Sequence, residues 1–273
     1  VYNKGAVVAH NLRGYMGDTL FRQGIRAALS ATNFKDWSSA DFRDKLETST
    51  GLDLHDFFDD WVFAGGYPDY LIDSVNWNPS GSVCSMFVKQ KLRGAPHFHH
   101  NVPLEFTLVD ANGHKTFFRR TVSGENSVVT YDFGSAPSPR PKIWVNTNLH
   151  ILQARSETEK MLKTTGTSNF AEAKMNLSVV SLAVDSMMFR VEHHFSAPDN
   201  TGANPNNYQL STRFWEVYHD GTDFIDAQGT VTYDGRGQQD QLDVQLFANT
   251  SPSEDSLLVL YRPGAGYPWQ EWP

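Results

Sequence analysis

Cysteine is nearly missing from this sequence. Cys84 is the only one in 273 residues, so no intrachain disulfide can hold the fold. That leaves the compartment open, because many secreted proteins have no disulfides. No apolar run approaches the roughly 18 residues that a membrane helix needs. Basic residues are also in deficit, with 23 Lys and Arg against 31 Asp and Glu and a net charge of −8. Nucleic acid and anionic lipid both reward clustered Lys and Arg, so neither is expected as a partner. Gly and Pro occur at about their average rates, which excludes a fibrous or low-complexity chain. What is present is apolar and aromatic: 40% hydrophobic residues, including 18 Phe, 10 Tyr and 7 Trp. That is enough to bury a core and argues against disorder. The length suits about two domains.

Residues 1–66 carry a helical period. Val8, Leu12, Tyr15 and Met16 share one face of a helix that should end near Gly17. Asp18 can cap a second helix with Phe21, Ile25, Ala28 and Leu29 as its stripe. Ser38 and Asp41 form a capping box ahead of Phe42 and Leu46, and Gly51 stops that helix. Asp53 can start a fourth, with Phe57, Phe58, Trp61 and Val62 inward and Asp56, Asp59 and Asp60 on the wet face.

After Pro68 the period becomes 2. Strands are expected at 69–77, 82–92, 102–110, 114–122, 126–133 and 142–146, with a hairpin turn at Asp110–Gly113. A short surface helix or closing strand fits 156–163. A second strand-rich block begins near 168, with candidates at 174–183, 186–195, 209–218, 223–234, 241–247 and 256–262. Ser196–Asn207 reads as a loop, and the tail 264–273 shows no pattern. The fold class is therefore α+β: an all-α segment at 1–68, a β-sandwich at 69–165 and a second β-rich block at 166–273.

The order of short motifs in the first 68 residues carries a resemblance. Tyr2-Asn-Lys4-Gly5-Ala6 is followed by His10-Asn-Leu-Arg13, Met16-Gly-Asp18 and Gly24-Ile-Arg26. Then come Ser39-Ala-Asp41-Phe42, Ser49-Thr-Gly51-Leu-Asp53-Leu54, Phe57-Phe-Asp-Asp-Trp61 and Gly66-Tyr-Pro68. This series resembles the aminopeptidase N-type zinc metallopeptidases, the gluzincin relatives of leukotriene hydrolase. The resemblance implies the helical end of a thermolysin-like catalytic domain with a β domain after it. It also implies hydrolysis of peptide substrates by zinc-activated water, with Tyr2 donating a hydrogen bond to the oxyanion. The family's His-Glu-x-x-His and Gly-x-Met-Glu-Asn motifs are not in this sequence. Together with a start at Val1 rather than Met, this reads as the C-terminal portion of such an enzyme. Zinc is expected in the parent protein, while this portion alone should hold no metal and be inactive. Residues 166–273 match nothing in the family. The alternative is a non-catalytic relative that binds protein or glycan. The appended β blocks favour a secreted or cell-surface location.

Other residue groups have plainer readings. His97-Phe-His99-His100 lies between prolines and reads as a solvated loop. His193 and His194 would point to opposite faces of a strand and cannot easily share an ion. Trp61 and Tyr67 read as packing anchors and Cys84 as a small buried hydrophobe. Trp215, Tyr218, Trp269 and Trp272 are explained as well by core packing as by a carbohydrate platform. Gly235–Asp240 reads as a turn, since no helix follows it to make a phosphate loop.

Overall fold

The break in period at Pro68 is a break in structure. A computed structural model describes residues 2–32, 36–182, 185–199, 208–220, 226–233, 235, 243, 246, 256–264 and 267–272; the side chains of Tyr2, Asn3 and Thr32 are outside the described set. The chain divides into two compact units, Val1–Gln153 and Ala154–Pro273.

In the first unit, α1 (Tyr2–Thr32) is two helices joined at Gly17, whose φ of 72° and ψ of 161° break the helical geometry. Only glycine takes that backbone without strain. Leu12, Met16 and Ala28 are buried, whereas Leu29, expected in the stripe, is exposed. In α2 (Ser39–Thr50) the Ser38–Asp41 capping box is formed and Gly51 closes the helix in the left-handed region. Asp53 Oδ1 accepts from His55 N at 3.0 Å at the start of α3 (His55–Phe58). A π-helical turn follows at Asp59–Phe63.

The sheets of this unit are two antiparallel triplets. Their strands are β1 (Tyr67–Trp77), β2 (Val83–Arg93), β3 (Val102–Val109), β4 (Lys115–Val122), β5 (Asn126–Asp132) and β6 (Lys142–Val145). One sheet has the order β1-β2-β5 and the other β4-β3-β6. Alternation is clean in β2, where Cys84, Met86, Val88 and Gln90 are buried and their neighbours half-buried. One apolar cluster takes in Leu12, Leu46, Phe57 and Trp61 from the helices and Met86, Phe106, Val129 and Val145 from both sheets. Helices and sheets thus share a core.

The second unit contains β7 (Arg155–Leu162), β8 (Gly166–Phe170), β9 (Met175–Val179), β10 (Met187–His194), β11 (Phe214–His219), β12 (Ala227–Val231), β13 (Leu260–Tyr261) and β14 (Gln270–Glu271). Sheets β11-β10-β7 and β12-β9-β8 enclose Phe170, Leu177, Met187, Phe189 and Val191. Of the two readings of 156–163 the strand is the one formed: β7 pairs with β10, and Glu157 and Glu159 on one of its faces meet Arg190. The compact second unit begins at Ala154, just before β7. Strand β8 was not expected, and the tail contains β14, which pairs with β13. Strands β9, β11, β12 and β13 are shorter than the expected 174–183, 209–218, 223–234 and 256–262. Most of 241–247, 200–207 and 236–240 lies outside the described residues.

The second unit stands on a buried ionic ladder. Arg190 Nε donates to Glu192 Oε1 at 2.6 Å, Arg155 Nη1 to Glu192 Oε2 at 3.1 Å, and Arg190 Nη2 lies 2.6 Å from Glu157. Burial by itself would push the Glu192 carboxyl up, but the two guanidiniums overcome this and hold it well below the ordinary carboxylate range. Removing one partner of a buried pair strands the other's charge, at a cost of about 3–5 kcal/mol. Glu192→Gln is therefore expected to destabilise this unit by that order in urea unfolding at pH 7. A loss below about 1 kcal/mol would show that the ladder is not what holds the sheet.

Candidate functional site

The one catalytic role that the resemblance implies, that of Tyr2, falls on the first turn of α1, so the question is what fixes that helix. Tyr2 is its first residue, and the Tyr2 side chain lies outside the described residues. Two residues on, Lys4 Nζ donates to the Ala64 carbonyl at 2.7 Å. Further along, His10 Nε2 lies 2.6 Å from the Leu149 carbonyl. Asn11, fully buried, accepts from Leu152 N at 2.8 Å and offers its amide to the Leu152 carbonyl at 3.5 Å. Arg119 Nη1 donates to the Gly14 carbonyl at 3.0 Å, which draws on strand β4. Tyr15 Oη accepts from Trp61 Nε1 at 3.2 Å. The first half of α1 is thus held on both sides, by the π-helical turn and by the 146–152 loop.

That loop is itself braced. Buried Glu105 accepts from Asn148 N at 3.1 Å and from Asn148 Nδ2 at 2.9 Å, and its Oε2 lies 3.0 Å from His150 Nε2. Asn146 takes φ 54° and bonds across the loop to Ile151 through both side-chain atoms. An isolated carboxylate would not be buried here; Glu105 is satisfied by the loop it shapes.

The histidine loop departs from expectation. His97 and His100 are exposed, but His99 is fully buried with its ring 4.8 Å from Trp61, edge to face. Gln90 grips the His99 backbone, accepting from its N at 2.6 Å and donating to its carbonyl at 3.0 Å. Neither His99 ring nitrogen has a hydrogen-bond partner among the described residues. Burial, reinforced by nearby His97, His100 and Lys4, drops the His99 pKa to about 3. Asp60, expected on the wet face, is also buried. The wider π turn rotates it inward. There Oδ2 accepts from His100 N at 2.8 Å and Oδ1 lies 3.3 Å from His97 Nδ1. Burial raises its pKa against the opposing pull of His100 N–H and His97. Asp59 remains exposed and Asp56 bonds Asn101.

The remaining candidates fall mostly where packing predicts. Trp61 and Cys84 are buried, Tyr67 packs on Trp61, and burial raises the Cys84 thiol. His193 stacks on Trp215 and His194 on Phe214, on opposite faces of β10. Trp215 and Tyr218 likewise lie on opposite faces of β11, and Trp215 Nε1 is spent on the Ala173 carbonyl. Trp269 donates to the Asp199 carbonyl, and only Trp272 of the four is largely exposed. No shared aromatic platform forms.

Two groups of described residues bring metal-ligating atoms together: Glu47, Asp53 and His55, and Glu192, His194 and Glu216. In the first, Glu47 Oε1 and Asp53 Oδ1 accept backbone N–H groups of Leu54 and His55 as helix-terminal bonds. In the second, both Glu192 oxygens face guanidinium groups, which repel a cation. Neither is the two-histidine, one-glutamate set that the resemblance implies, so these residues do not fit that zinc.

Comparison with known proteins bears on the helical segment. Residues 1–61 match the Peptidase family M1 domain. The chain is 33% identical over 75 residues to "Probable aminopeptidase 2" of Sulfurisphaera tokodaii, covering 28% of this chain and 10% of that protein. It is 32% identical over 68 residues to Aminopeptidase N of Lactococcus lactis, covering 25% and 8%. To "Probable aminopeptidase 1" of S. tokodaii it is 26% identical over 149 residues, 54% of this chain and 17% of that protein. Legionella pneumophila aminopeptidase A, solved with aspartic acid, aligns at a TM-score of 0.47 and 17% identity over 55% of this chain and 17% of its own. The resemblance to M1-type aminopeptidases therefore holds for the helical segment. The chain spans about a tenth of the first curated relatives it matches.

A buried neutral histidine predicts a pH dependence. His99 stays unprotonated when folded down to about pH 3, whereas in the unfolded chain it takes a proton below its ordinary value of 6.5. The unfolded state then binds more protons, so this contribution is complete above about pH 6.5 and is lost as pH falls toward 3. The slope reaches at most about 1.4 kcal/mol per pH unit. Urea unfolding of wild type and His99→Leu from pH 7 to 4 should show the wild type losing stability more steeply. Parallel curves would contradict it.

Proposed function

We propose that this chain forms part of a peptidase of the aminopeptidase type and that Tyr2 is its contribution to the chemistry. The supporting observation is the Tyr2-x-Lys4-Gly5-Ala6 series, placed on the first turn of a helix that is tied down at Lys4, His10, Asn11, Gly14 and Tyr15. The helices are read as the end of a thermolysin-like catalytic domain. The two triplet sheets of the first unit are read as the sandwich that follows it.

The resemblance implies a zinc ion that polarises the scissile carbonyl when bound. This sequence has no His-Glu-x-x-His, and its described donor sets do not fit the ion, so the ligands belong to residues other than these. What Tyr2 does is separable. A phenol with an ordinary pKa near 10 keeps its proton at neutral pH. As the peptide carbonyl becomes tetrahedral, its oxygen gathers negative charge and the phenol O–H donates to it. A donor held ready for charge that develops only in the transition state is worth about 3–4 kcal/mol, or roughly 10²–10³ in rate.

The test is steady-state hydrolysis of an aminoacyl p-nitroanilide by the full-length protein, wild type against Tyr2→Phe. The substitution keeps the ring and removes the donor, so kcat should fall by about 10² or more with KM little changed and zinc content unaltered. Equal kcat values would remove Tyr2 from the mechanism. No hydrolysis by the wild type, with its zinc bound, would favour a binding role instead.

A further inference from the structure

Lys4 is in a place that its own helix does not favour. A cation in the first turn faces the positive end of the helix dipole. It therefore needs a reason to be there, and its ammonium is spent on one acceptor, the Ala64 carbonyl at 2.7 Å. Ala64 is the residue that ends the π-helical turn; with φ −102° and ψ 161° it has left helical geometry. The segment that follows is immobilised by packing: Gly66 has φ 79°, and a Cβ there would lie 2.1 Å from Ala95 N. The acceptor thus leads directly into a closely packed strap.

The same strap holds α1 a second time. Trp61, fully buried three residues before Ala64, donates to Tyr15 Oη. Positions 4 and 15 are about three turns apart and so share one face of the helix. The Tyr15 tether lies about three turns from Lys4, and Lys4 adds a second tether only two residues after Tyr2.

We propose that Lys4 is a positioning residue for Tyr2, fixing the first turn of α1 to the end of the π-helical turn through the Ala64 carbonyl. This rests on the reading of Tyr2 as the oxyanion donor. The ammonium touches no substrate; it holds the backbone from which the phenol is aimed. A displacement of about 1 Å at a reacting group can cost two orders of magnitude in rate. A weakened tether should cost part of that.

The test is a double-mutant cycle in the full-length enzyme: wild type, Tyr2→Phe, Lys4→Met and both together. Lys4→Met should lower kcat about tenfold with KM within about twofold, and Lys4→Arg, which keeps a donor, should restore most of the loss. On the Tyr2→Phe background, Lys4→Met should change kcat by less than about twofold, since no donor remains to be aimed. Amide exchange at residues 6–8 of the present chain should quicken in Lys4→Met and not in Lys4→Arg. If Lys4→Met lowers kcat equally on both backgrounds, its role is general stability and the proposal is wrong. Unchanged kcat in Lys4→Met also overturns it. If Tyr2→Phe leaves kcat intact, the Tyr2 reading fails first and the positioning role falls with it. Should Lys4→Met melt far below wild type, Lys4→Leu, which also lacks a donor, replaces it in the same cycle.

Discussion

Everything proposed for the first unit depends on one close approach of backbone to backbone. Gly14 of α1 lies so near the 146–152 loop that a Cβ would stand 2.1 Å from the His150 carbonyl oxygen. Only glycine permits it, at the expense of helix propensity. The approach brings Asn11 within reach of Leu152 and lets Arg119 on β4 bond the Gly14 carbonyl. The loop can accept a helix at this distance because Glu105, buried on β3, has already fixed it through Asn148 and His150. A helix that would otherwise be marginal in isolation is thereby referred to a sheet.

The two units solve the problem of buried polarity differently. In the first, several buried polar side chains are answered largely by backbone: Gln90 by His99 and Gly124, Asn11 by Leu152, and Glu105 by Asn148 N together with the Asn148 amide and His150. Such groups fix the path of a loop. In the second, charges answer charges along one face of β7, β10 and β11, while the opposite face of the same strands supplies Met187, Phe189 and Val191 to the core. That arrangement specifies strand register, because a slip of one residue would turn Arg190 and Glu192 into the apolar cluster.

Much of the first unit was legible in sequence because its signals are local. The capping box at Ser38, the breaks at Gly17 and Gly51 and the alternation of β2 each follow from residue type at fixed spacing. The inward turn of Asp60 was not legible, since a π turn shifts side chains without changing composition. Burial of His99 depends on Gln90 and Trp61, distant in the chain. The strand at Arg155–Leu162 did leave a signal: charged residues recur there with period 2, at Arg155, Glu157 and Glu159, and again at Arg190 and Glu192. Read together, the two patterns predict a paired ladder; read singly, the first looks like a solvated helix. Of the candidate site, the motif around Tyr2 was visible, while the tethers that hold it are long-range and were not.

The central claim is that the helix beginning at Tyr2 and the sheets β1–β6 are one cooperative body, so that the sheets are part of what makes the site. Native-state hydrogen exchange across increasing urea tests it directly on this chain. The account predicts that amides of residues 6–16 and those of β2 and β3 open with the same free energy and the same urea dependence. Exchange of 6–16 through a separate, lower-energy opening, with the strands still protected, would contradict it.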